Sequence, residues 1–154
     1  MIKVLHVVGA RPQFMKLLPL YLEMSKNQIN QEILHTGQHF DEIMSNVFFS
    51  QLEIPKPNYN LDINNLSHGA MTGRMIEEIE KILLNKNYDF LIIYGDTNST
   101  LAGAISAKKM GVKIIHIESG VRNYDPSMPE ETNRILSDRI SDILFCNSNP
   151  AINN

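Results

Sequence analysis

The sequence predicts an α/β fold in which a mainly parallel β-sheet is covered by helices on both faces. Short apolar segments alternate with longer stretches of helical periodicity from one end of the chain to the other. Most of the strand segments are apolar throughout, as strands buried on both faces must be. A glycine follows each of four strand segments, where it lets the chain turn sharply and lets a ligand approach the backbone.

Residues 2–8 form an apolar run with β-branched members, closed by Gly9, and predict a buried strand. Pro12 suits the first turn of a following helix, where its missing N–H costs nothing. Leu17, Leu18, Tyr21 and Leu22 mark the inner side of that helix, and Pro19 inside it predicts a kink. Residues 32–36 predict a second strand and residues 41–49 a helix. Residues 53–66 contain Pro55, Pro57 and several asparagines and predict an irregular connection. Met71, Met75, Ile79, Ile82 and Leu83 then recur at helical spacing, with Glu77, Glu78 and Lys81 between them. Residues 91–94 predict a strand, and residues 100–110 a helix with Gly111 just past its end. Residues 112–117 and 143–146 predict strands, with a helix over 131–140 between them. The tail NSNPAINN reads as the start of another helix.

A chain of 154 residues suits one domain. Its net charge of −3 does not suggest nucleic acid as a partner, so an anionic ligand must be met by local cations. Cys146 is the single cysteine. No intramolecular disulfide is possible, which fits a reducing cytoplasm. The opening apolar run is too short for a signal peptide. No segment reaches the ~20 apolar residues needed to span a bilayer. The expectation is a soluble, cytoplasmic protein without a membrane partner. The His, Cys and acidic residues lack metal-ligand spacing. GARPQF stands where a dinucleotide-binding fold carries GxGxxG.

Open parallel sheets bind ligands outside the carboxyl ends of their strands. The candidates there are Gly9, Ala10 and Arg11; Gly37, Gln38 and His39; Gly95, Asp96 and Thr97; and Glu118, Ser119 and Gly120. Each polar residue has two readings. Asp96 is a helix cap or an acid–base group. Glu118 is a surface partner of Arg122 or a catalytic carboxylate. Arg11 is a solvated helix-start residue or an anion-binding one, the latter favoured because a cation there opposes the helix dipole. His39 is a cap or a ligand contact. Glu130 and Glu131 are a favourable helix first turn or part of the site. His6 and His116 read as core histidines satisfied by hydrogen bonds, and His68 as a helix-start residue.

Taken together, GARPQFMK (residues 9–16), TGQHFD (36–41), YGDTNST (94–100) and ESGVRNYDPSMPEETNR (118–134) resemble the non-hydrolysing UDP-N-acetylglucosamine 2-epimerases, in the family's own order. The resemblance implies a Rossmann-like three-layer domain over residues 1–154, the N-terminal half of a glycosyltransferase-B type fold whose C-terminal domain is absent. It implies an isomerase that inverts C2 of a UDP-N-acetylated sugar, UDP-GlcNAc to UDP-ManNAc, by eliminating and re-adding UDP, for cell-surface polysaccharide precursors. No nicotinamide, metal or other cofactor is implied. Asp96, Glu118 and Glu130 match the family's acidic catalytic positions. Arg11 and Lys16 match basic residues near the diphosphate, and Arg122 and Arg134 are further substrate-binding candidates. Gln38, His39 and Arg74 match positions near a regulatory UDP-GlcNAc. A homodimer of the full-length enzyme is implied.

GARPQ, GQHF and GDTNST depart from the GTRPE, AQHR and GDTTTT of the best-known members, and the loop before PEE is shorter. These departures look like the branch acting on UDP-2,3-diacetamido uronic acids. By itself, the 154-residue chain is expected to be nearly inactive. Other expectations are a different sugar-nucleotide enzyme, such as a glycosyltransferase or a hydrolysing epimerase, and a non-catalytic sugar-nucleotide-binding remnant.

Overall fold

A computed structural model describes residues 1–39, 50 and 55–154. The elements follow the chain as β1 (Lys3–Val8), α1 (Arg11–Lys26), β2 (Asn30–His35), β3 (Tyr59–Asn60), α2 (His68–Asn85), β4 (Phe90–Tyr94), α3 (Asn98–Lys109), β5 (Lys113–Ser119), α4 (Pro129–Ile140), β6 (Ile143–Cys146) and α5 (Asn149–Asn153). The expected helix at 41–49 lies outside the described residues.

All strand pairs are parallel and the sheet order is β3-β2-β1-β4-β5-β6. The chain winds outward from β1 to one edge, then returns to β4 and winds to the other. The direction reverses between β1 and β4, so a crevice opens at their carboxyl ends.

The apolar strands divide their side chains between two cores. Leu5, Val7, Leu34, Leu91, Ile93 and Ile114 point to one face, where Met71, Met75, Ile79 and Leu83 of α2 and Ala102, Ala104 and Ala107 of α3 cover them. The small side chains of α3 let that helix lie close to the central strands. Val4, Val8, Ile33, Ile92 and Tyr94 point to the other face, under Phe14 and Leu17 of α1. Met75, Ile79 and Leu17 are fully buried, and burying each contributes roughly 1.5–3 kcal/mol. Edge strand β6 is less covered, with Ile143 and Phe145 41% and 56% exposed.

Element bounds shift in detail, and one strand is added. Helix α1 is continuous through Pro19. The carbonyl deprived of its partner belongs to Met15, a half-exposed residue that water can reach. The connection expected to be irregular contains β3, whose two residues pair with Leu34 and His35. Helix α4 begins at Pro129, which occupies its first turn. The tail does enter a helix, α5, capped by the Ser148 side chain.

Candidate functional site

The crevice is built from the turns that leave β1, β4 and β5. Gly9 lies at the centre of the first. A Cβ there would come within 2.1 Å of Thr36 Oγ1 and 2.2 Å of Ser99 Oγ, so only glycine allows the turns to close together. Gln13 ties the β1 and β4 turns. Its Oε1 accepts from the N–H groups of Gly9 (2.7 Å) and Ala10 (3.0 Å), and its Nε2 donates to the Tyr94 carbonyl (2.7 Å) and to Thr97 Oγ1 (2.9 Å). The sequence reading passed over Gln13, although a glutamine three residues after a helix N-cap is a recognisable capping signal.

Asp96 does not cap α3. Thr97 does, its hydroxyl accepting from the Thr100 N–H at 3.3 Å. Asp96 is one residue too early for that role and instead forms an ion pair with Arg134 of α4. Its own carbonyl accepts from Asn133 Nδ2 at 3.0 Å, and Asn133 also donates to Asn98 Oδ1 at 3.2 Å. His68, first in α2, meets Asn98 Nδ2 at 3.0 Å. The β4 turn is therefore held from α1, α2 and α4 together.

Glu118 does not pair with Arg122. The register between β5 and β6 slips between Ile117 and Ser119, leaving Glu118 as the extra residue of a β-bulge with φ +65°. A bulge re-aims the side chain it carries, and the Glu118 carboxylate forms an ion pair with Lys16 of α1. Left-handed backbone at a glutamate carries a cost of order 1 kcal/mol or more, and such residues concentrate at functional sites. Arg122 pairs with Asp138 at 2.6 Å.

Of the two glutamates after Pro129, Glu131 is buried and Glu130 is half-buried in the first turn of α4. Glu131 bonds Arg134 at 2.6 Å and accepts from the N–H groups of Asn123 (3.3 Å) and Tyr124 (3.2 Å). Burial works against its charge, but these donors prevail and hold the carboxyl below its usual range. Glu131 thus fixes Arg134, which in turn fixes Asp96. Arg11 is exposed at the first position of α1.

Gln38 faces α3, its Oε1 accepting from Ser99 N (3.0 Å) and Ser99 Oγ (2.6 Å). The His39 N–H donates to the Gly9 carbonyl at 2.9 Å, which makes its backbone part of the β1 turn. Arg74 is exposed on α2. His6 is a core histidine, with Nδ1 2.8 Å from Tyr94 Oη and Nε2 3.0 Å from Gln31 Oε1. A hollow of about 850 Å³ lies between α4, β6 and α5, and Asp96, Glu118, Arg11 and Lys16 are not among the residues that line it. Among the described residues no group of His, Cys, Asp and Glu is arranged to hold a metal ion. No described helix is long and apolar enough to cross a membrane.

An open parallel sheet of this order, with carboxylates and cations gathered at its strand ends, defines a Rossmann-like α/β domain. The family model described as UDP-N-acetylglucosamine 2-epimerase matches residues 22–154. The chain belongs to the UDP-N-acetylglucosamine 2-epimerase family. It is 54% identical over 99% of its length to the UDP-2,3-diacetamido-2,3-dideoxy-D-glucuronate 2-epimerase of Pseudomonas aeruginosa, covering 43% of that protein. It is 47% identical over its whole length to a UDP-N-acetylglucosamine 2-epimerase of Methanococcus maripaludis, covering 42% of it. Among solved structures, the UDP-GlcNAc 2-epimerase of Methanocaldococcus jannaschii in complex with UDP-GlcNAc and UDP superposes with a TM-score of 0.95 at 43% identity, over 99% of this chain and 42% of that one. The chain therefore spans about two-fifths of the length of these relatives. A Streptomyces glycosyltransferase complexed with thymidine diphosphate shares the fold alone, with a TM-score of 0.58 at 15% identity.

Proposed function

We propose that this chain forms the N-terminal, acid–base wall of a sugar-nucleotide 2-epimerase of glycosyltransferase-B type architecture. The carrying observation is the pair of carboxylates at adjacent strand ends, Asp96 after β4 and Glu118 on β5, each matched with a cation, Arg134 and Lys16. Inverting C2 requires one group to remove the C2 proton while the C1–O bond to UDP breaks. A proton is then returned to the opposite face of the 2-acetamidoglucal as UDP adds back. Asp96, Glu118 and Glu130 are the groups assigned to these transfers. Arg11 and Lys16 sit where positive charge stabilises departing UDP. A diphosphate drawing Lys16 to itself releases the Glu118 carboxylate from its ion pair, so binding frees the group for proton transfer.

UDP-GlcNAc is the first substrate assigned. The 54% identity to the Pseudomonas aeruginosa relative favours a second, a UDP-2,3-diacetamido uronic acid. The opposite wall and most of the uridine contacts come from a segment equivalent to the remaining length of the relatives. Homodimerisation, a cytoplasmic location, substrate contacts by Arg122 and Arg134, and a regulatory site around Gln38, His39 and Arg74 belong to the same reading.

Deuterium incorporation at sugar C2 tests it. The chain is incubated in D2O with each substrate, alone and joined to the segment by which the Methanocaldococcus jannaschii relative is longer. Exchange in the joined protein supports the assignment, and the faster substrate names the branch. No exchange with either substrate overturns it.

A further inference from the structure

We propose that Asp138 and His116 are positioning residues that hold the turn bearing Asp96 and the bulge bearing Glu118 in one fixed relation. The inference rests on the reading of those two carboxylates as the acid–base pair.

Asp138 of α4 is the hub. Its Oδ2 accepts from the Gly120 N–H at 3.0 Å and from Arg122 Nη1 at 2.6 Å, and its Oδ1 lies 2.7 Å from His116 Nδ1. On the far side of the imidazole, Nε2 is 2.7 Å from the Gly95 carbonyl. A carbonyl and a carboxylate can both only accept, so the link from Gly95 through the ring to Asp138 is attractive with a hydrogen on each ring nitrogen. One carboxylate and one ring thus bridge Gly120, two residues past Glu118, to Gly95, immediately before Asp96. Both bridged glycines have left-handed backbone, φ +77° and +64°, and the side-chain bridge adds to a single backbone tie, the Gly95 N–H donating to the Ile117 carbonyl at 3.0 Å.

His116 is fully buried and Asp138 nearly so, at the edge of the hollow between α4, β6 and α5, and their effect passes through the backbone they hold. Burial opposes the Asp138 charge, while His116, Arg122 and the Gly120 N–H hold its carboxyl below the usual range. A buried ionic cluster of this kind adds little net stability over well-packed apolar side chains. Its distinctive contribution is geometry, and a displacement of about 1 Å in a reacting group can cost about a hundredfold in rate.

The test uses the joined, two-part enzyme with Asp138→Leu, His116→Phe and Asp138→Asn. Asparagine can still accept from Gly120 and Arg122 while donating to His116 Nδ1. The leucine and phenylalanine variants are expected to lose about 10- to 100-fold in kcat for C2 exchange. The KM of His116→Phe is expected to stay within about threefold, as when only transition-state positioning is lost, whereas Asp138→Leu also releases Arg122 and is read on kcat alone. Asp138→Asn is expected to recover most of the loss. Should Asp138→Leu fail to fold, His116→Phe carries the test, because it keeps a planar ring in the same buried place. A folded His116→Phe enzyme with parental kcat, or one changed only in KM or Tm, overturns the proposal. A parent without C2 exchange removes the functional reading and this proposal with it, whereas an active parent with indifferent variants removes this proposal alone.

Discussion

Lys16 in the second turn of α1 meets Glu118 on the bulge of β5 in an ion pair between residues remote in sequence. A second pair joins Arg134 of α4 to Asp96 at the end of β4. Each carboxylate is thus oriented by its own cation. In the joined enzyme, Asp96→Asn and Glu118→Gln are each expected to lower C2 exchange by ~100-fold or more, as when an acid or base is lost. Steady-state exchange kinetics check this, and near-parental rates in both variants would exclude the assignment.

Arg11→Ala is expected to slow elimination of UDP while leaving the fold intact, because Arg11 is exposed at the start of α1. Release of UDP in single-turnover experiments checks it. An unchanged rate with unchanged substrate affinity would remove Arg11 from the diphosphate site.

Gln13→Ala is expected to destabilise the chain by roughly 2–4 kcal/mol, since truncation strands buried donors and acceptors in two turns at once. The buried groups are the Gly9 and Ala10 N–H and the Tyr94 carbonyl. Urea unfolding measures the loss, and a change under about 0.5 kcal/mol would show that water replaces the amide without penalty.

Gly120→Val is expected to disrupt the β5 turn. A Cβ at Gly120 falls 2.0 Å from the Ala151 carbonyl oxygen, at φ +77°. The variant is expected to displace α5 and lower Tm. Unchanged amide hydrogen exchange across α5 would contradict the close approach.

Acid titration of stability has two steps with the same sign. Burial lowers His6 from 6.5 to about 4, with the Gln31 hydrogen bond opposing it. The unfolded chain takes up that proton first, so stability is full above pH 6.5 and falls as pH drops toward 4. For Glu32, burial works against the charge. The hydroxyls of Tyr88 and Tyr59 and the ammonium groups of Lys3 and Lys86 outweigh it and lower its pKa from 4.5 to about 2. That stabilisation is present above pH 4.5 and lost as pH falls toward 2. Urea unfolding across pH measures both, and Glu32→Gln is expected to flatten the lower step alone. An equal lower step in that variant would assign it to other carboxylates.

Taken alone, the sequence determined the layered fold. Apolar strand runs and the Met71–Leu83 stripe identify their buried faces through periodicity, which is a local property of the chain. It also determined that Asp96 and Glu118 stand at strand ends, because each follows an apolar run. Tertiary structure decided what each does there. Thr97 rather than Asp96 caps α3 because the turn leaves Thr97 at the N-cap position. Lys16 rather than Arg122 meets Glu118 because the bulge aims it toward α1. The two-residue strand β3 has no periodicity of its own and exists only through the edge that β2 offers. His116 is the buried, hydrogen-bonded histidine that its strand position implied, but the bonds by which Gln13, His116 and Asp138 join separate turns were not legible, since their partners are distant in sequence. Local pattern sets which face is buried, but the partners of a polar side chain depend on how separate turns are brought together in space.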